Sequence, residues 1–166
     1  MRSLVLILAG LLGAGVAWPP IAAAQQPDFS GTWQLDAAAS EIAGEHGLAG
    51  LGGAAPEFLH ITHARNGALI LSSRINGAQP RFYVIGGSNA LPAPGGEDAR
   101  MTMATRWVGE ALVSSGEGEF EGAPLQVLER MSLDAGGRLR LEVTTTVEET
   151  TRTNVLVYLV YRREVP

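Results

Sequence analysis

From Glu57 onward the chain is a succession of short segments that alternate apolar and polar residues and are broken at close intervals by glycine turns. Leu139, Leu141, Val143, Thr145 and Val147 alternate with Arg138, Arg140, Glu142, Thr144 and Thr146. That period of two belongs to a strand with one face in a core and the other in water. Phe29, Gly31, Trp33 and Leu35 alternate in the same way with Ser30, Thr32, Gln34 and Asp36. Asn66-Gly67 is a favoured two-residue hairpin turn between strands predicted over 58–64 and 68–75. Asn76-Gly77 leads through Pro80 into a strand over 81–85, and the Gly- and Pro-rich stretch 86–98 reads as a loop. Strands over 99–108 and 111–119 flank Val108-Gly109-Glu110, and strands over 125–133 and 138–148 flank 134–137. A last strand covers 154–163; its stretch Val155 to Tyr161 is apolar on both faces, so it is central or covered.

Strands joined in this way predict an all-β fold, an antiparallel meander. Closing the sheet would remove its exposed edges, which favours a small barrel of about 8–10 strands. The Ala- and Gly-rich stretch 37–57 departs from the pattern, and Ser40-Glu41-Ile42-Ala43 could form a helical turn behind a Ser cap.

The first 24 residues read as a cleavable signal peptide. Arg2 precedes an apolar run from Leu4 to Ala17, Trp18-Pro19-Pro20 interrupts it, and Ala22-Ala23-Ala24 forms a small-residue cleavage site before Gln25. The run is shorter than the roughly 20 residues that span a bilayer, so stable membrane insertion is not expected. The mature domain would be 25–166, periplasmic or secreted. With no cysteine anywhere, its stability has to come from packing. A net charge of -5 without a basic run disfavours nucleic acid as a partner.

The segment FSGTWQLD resembles the G-x-W opening of lipocalin-like, calycin-type barrels. Together with FYVIGG, RWVGEALV, ERMSLDAGGRLRLEV and LVYRRE it resembles a set of small secreted bacterial proteins of unassigned function. Those proteins usually carry Asp-Gly where this chain has Gly86-Gly87 and Val108-Gly109. The resemblance implies a structural signature of Gly31, Trp33, Arg162 and Arg163. Trp33 would cross the closed end of the barrel, beneath one of the two arginines in a cation–π contact.

Catalytic chemistry finds little support. The histidines are His46, His60 and His63; the last two, three apart on a strand, point to opposite faces and cannot chelate one ion. Neither serine pair, Ser72-Ser73 or Ser114-Ser115, sits in a nucleophile elbow. Glu117, Glu119 and Glu121, interspersed with Gly118 and Gly122, lack calcium-loop spacing and read as a solvated edge. No catalytic residue, metal or cofactor is therefore expected.

One position breaks the rule of polar residues outside. In 125–133 the odd positions are apolar except Glu129, so alternation points its carboxylate inward. A buried carboxylate needs a partner. Glu129 would therefore pair with an arginine, reach water at a strand end, or anchor the head of a small ligand walled by Met101, Met103, Trp107 and Tyr83. Two functional readings follow: a carrier of a small hydrophobic or amphipathic molecule, and an envelope module with a filled core and a protein partner. A hydrolase or isomerase of barrel type ranks behind both.

Overall fold

The computed structural model describes residues 26–42, 55–63, 68–73, 81–92 and 100–161. The leader, His46, most of the 37–57 segment, both Asn-Gly turns, Arg162 and Arg163 lie outside the described residues.

Ten antiparallel strands form one sheet: β1 (Gly31–Leu35), β2 (Phe58–His63), β3 (Ala68–Ser73), β4 (Arg81–Val84), β5 (Gly87–Pro92), β6 (Arg100–Val108), β7 (Ala111–Phe120), β8 (Ala123–Leu133), β9 (Leu139–Val147) and β10 (Thr150–Val160). Their order across the sheet is β4-β3-β2-β1-β10-β9-β8-β7-β6-β5. Every neighbour but one is consecutive in sequence, the exception being the pairing of β1 with β10. The two outermost strands, β4 and β5, are themselves consecutive, so the sheet curls round until its edges meet. Ile85 bridges Thr105, and Gly86 N–H donates to the Thr105 carbonyl at 2.7 Å. Asn89 of β5 donates from Nδ2 to the Phe82 carbonyl at 2.5 Å. Among the described residues β4 and β5 are thus joined by side-chain and turn contacts, not by a ladder.

The all-β, barrel-like meander expected from the alternation is the fold observed, with one strand more. Gly87–Pro92, expected as loop, is the edge strand β5, paired with Arg100–Thr105. Of residues 87–91 only Leu91 is buried in the core, so an edge strand of mostly small residues carries no apolar stripe. A second correction concerns Glu41. It lies in a bridge with Val155, not in a helical turn, and the Ser40 hydroxyl that would have capped a helix accepts from the Val157 N–H and donates to the Asp36 carbonyl.

β10 is central, between β1 and β9, as its apolar composition required. Leu159, Val160 and Tyr161 at its end nevertheless remain exposed. Inward residues make one continuous core, with Phe29, Leu59, Leu139, Leu141, Val143, Leu156 and Tyr158 among the most buried. Each such side chain contributes about 1.5–3 kcal/mol by leaving water. One end of the barrel is packed with aromatic groups. Trp33 is buried and donates from Nε1 to the Phe29 carbonyl at 2.9 Å, while Phe29 stacks on Trp107 at 5.7 Å. His63 lies against both rings.

Candidate functional site

The register of the ladder places one row of inward residues level with Glu129. Thr105 pairs with Ser114, Ser114 with Glu129, Glu129 with Val143, and Val143 with Asn154. All five are buried, and four are polar. Thr105 and Ser114 share a hydrogen bond of 2.8 Å between their hydroxyls. Toward the aromatic end the next row is Trp107, Leu112, Met131, Leu141 and Leu156. The polar row is therefore a belt inside an otherwise apolar wall.

β4 completes the belt from across the barrel. Its alternation turns Arg81 and Tyr83 inward and Phe82 outward. Tyr83 Oη donates to Glu129 Oε2 at 2.7 Å. Arg81 Nη1 stands 3.0 Å from Glu129 Oε1, and the Arg81 guanidinium lies over the Tyr83 ring, 5.4 Å from its centre. Arg81 and Glu129 are each only 5 % exposed, so the pair is desolvated. Burial, the largest single influence, favours losing the Arg81 proton, but the Glu129 charge, the Tyr83 phenol and the direct contact with Glu129 together outweigh it and hold the guanidinium pKa above its ordinary value. Burial, and then the same carboxylate, push the Tyr83 phenol well above its ordinary value.

This centre is not saturated. Beyond their mutual ion pair, Nε, Nη1 and Nη2 of Arg81 and Oε1 of Glu129 have no hydrogen-bond partner among the described residues. A guanidinium carries five N–H donors, and buried donors normally have partners. The sequence leaves Glu129 three options, an arginine, water or a ligand head group, and does not single out Arg81. Its shared parity with Tyr83 in 81–85 was the available signal.

The other expected ligand-contact residues divide. Met101 and Met103 are buried and inward. A Cβ at Gly116 would lie 2.2 Å from Met103 Sδ and 2.7 Å from the Thr102 carbonyl, and one at Gly118 would lie 3.0 Å from Met101 Cβ. The glycines alternating with Glu117 and Glu119 are thus the spaces that the methionines fill. Trp107 lies one row toward the aromatic end, packed on Phe29 and His63. His60 bonds to the Thr32 hydroxyl at 2.8 Å and His63 to Asp28 at 3.0 Å, on opposite faces of β2. A shallow groove of about 600 Å³, lined by Thr102, Ser115, Glu117, Gln126, Leu128 and Thr144 among others, lies on the outer face of β6–β9. It shares no side chain with the polar centre.

No family model matches the chain, and no curated protein matches it. Among solved structures the fold is similar to one described as "REP1-NXSQ fatty acid transporter". The TM-score is 0.55, over 81 % of this chain and 97 % of that one, at 14 % identity. That likeness shows a shared barrel-like β fold.

Proposed function

We propose that this chain is a non-enzymatic carrier that takes a small amphipathic molecule into the barrel, with its polar end at Arg81, Tyr83 and Glu129 and its apolar part against Met101 and Met103. The observation that carries the reading is the buried Arg81 guanidinium, which beyond its ion pair with Glu129 has no acceptor for its N–H groups among the described residues. An unmatched buried donor costs about 1–3 kcal/mol, which a ligand acceptor would recover. Methionines suit such a wall because an unbranched thioether can swing aside when a guest enters. The neighbour described as a fatty acid transporter supports this class of function through its fold. We further propose that the leader is removed near Ala24 and that the mature protein acts in the periplasm or outside the cell, in line with the n-region, apolar run and small-residue site.

One observation favours a second reading, an envelope interaction module with a filled core: Met103 already occupies the space above Gly116. The two readings separate by titration. Quenching of the tryptophan fluorescence by a panel of amphipathic probes, saturating at one site per chain and lost in Arg81→Met, is the expected result. Normal folding with no saturable binding of any probe would overturn the carrier reading. Mass spectrometry of the exported protein would show whether the chain begins near Gln25 and whether a small molecule comes with it.

A further inference from the structure

The charges and protons at the polar centre specify what kind of head group it takes. This inference rests on the carrier reading and narrows it. Arg81 is the only buried basic side chain among the described residues, and Glu129 the only buried carboxylate. They stand 3.0 Å apart, so the centre is neutral as a unit. The Tyr83 proton is committed to Glu129 Oε2, and the Thr105 and Ser114 hydroxyls are bonded to each other. Beyond the Arg81–Glu129 ion pair, what stays open among the described residues of the centre is a set of N–H donors on Arg81 and further acceptor capacity on Glu129 Oε1. A donor and an acceptor face the same interior from β4 and β8.

We propose that the ligand head group is uncharged and both donates and accepts hydrogen bonds, as an alcohol or primary amide does, and that Glu129 excludes carboxylates. A hydroxyl oxygen would accept from Arg81 while its proton goes to Glu129 Oε1, filling both open positions without adding charge. A carboxylate would satisfy Arg81 alone. It would also set a second negative charge beside Glu129 where no further buried cation balances it, and like charges in a desolvated site repel strongly. Selectivity then resides in a repulsive element as much as in an attractive one. The same geometry predicts that an ester, which accepts but cannot donate, leaves Glu129 Oε1 unmatched.

The test is a displacement titration of the full mature protein, loaded with a fluorescent hydrophobic probe. The competitors are an alcohol, a primary amide, a methyl ester and a carboxylate of equal alkyl length. The alcohol and amide are expected to bind about tenfold or more tightly than the carboxylate, with the ester between them. In Glu129→Gln the Arg81 charge is no longer balanced, and the carboxylate is expected to overtake the alcohol. A wild-type protein that binds the carboxylate as tightly as the alcohol would overturn the head-group assignment and leave the carrier reading standing. Failure of all four, with the probe itself not bound, would overturn both. Should Glu129→Gln not fold, the wild-type ranking of the four competitors decides alone.

Discussion

Tyr83 and Glu129 sit on β4 and β8, which are not neighbours in the sheet, yet the phenol donates to the carboxylate at 2.7 Å. The bond spans the barrel and ties an edge strand to the middle of the β6–β9 wall. Tyr158 offers the contrast: its hydroxyl is buried and has no hydrogen-bond partner among the described residues. The same chemical change at the two sites is therefore expected to act in opposite senses. Tyr83→Phe strands a buried carboxylate oxygen and is expected to cost about 1–3 kcal/mol. Tyr158→Phe removes an unsatisfied hydroxyl and is expected to be neutral or mildly stabilising. Denaturant midpoints of the two variants at equal slope check this.

The Arg81–Glu129 pair is expected to be strongly non-additive. Removing one partner leaves a buried charge alone, a loss of about 3–5 kcal/mol in comparable sites. Arg81→Met and Glu129→Leu should each be damaging, while the double variant, with no buried charge left, should be much less destabilised than the two losses summed. A double-mutant cycle by chemical denaturation measures the coupling. Near-additive losses would mean that each side chain acts through other neighbours.

How far the sequence foretells this arrangement depends on which residues carry it. Period-two alternation is enough to turn Glu129 inward and to place Leu139 to Val147 on the core face, because both sit in long strands with intact stripes. It is blind to β5, where Gly87–Pro92 has small residues and a proline, and its edge position asks for no apolar stripe. Glu129's need for a partner was legible. The partner was not, because Arg81 is 48 residues earlier in the chain and only closure of the barrel brings the two together. Likewise Gly116 and Gly118 look like a flexible polar run until the ladder sets Gly116 opposite Met103.

That pairing gives a third prediction. A methyl group at Gly116 would meet Met103 Sδ at 2.2 Å, which the side chain can relieve by swinging, and the Thr102 carbonyl at 2.7 Å, which it cannot. Gly116→Ala is expected to cost about 1–3 kcal/mol through overpacking and backbone displacement. Met103→Ala in the same chain should recover part of that loss, with the carbonyl contact accounting for the remainder. Thermal unfolding of the single and double variants distinguishes partial rescue from none.

The buried phenols set the protein's behaviour in alkali. Burial raises the pKa of Tyr83 well above its ordinary value of 10.0, reinforced by the Glu129 charge, and burial alone raises that of Tyr158. Both groups hold their protons more tightly in the folded chain than in the unfolded one. Below pH 10 neither state has lost the proton and the native advantage is intact. As pH rises above 10 the unfolded chain ionises first, binds fewer protons than the native state, and is favoured. Stability is therefore expected to fall steadily above pH 10. Phenolate absorbance from Tyr83 and Tyr158 should then appear in step with loss of β-sheet circular dichroism. In Tyr158→Phe the alkaline transition should move to higher pH, because one of the two groups that drive it is gone. Ionisation of both tyrosines while the sheet remains folded would mean that the barrel admits hydroxide to its core, and the burial on which the polar centre depends would have to be reconsidered.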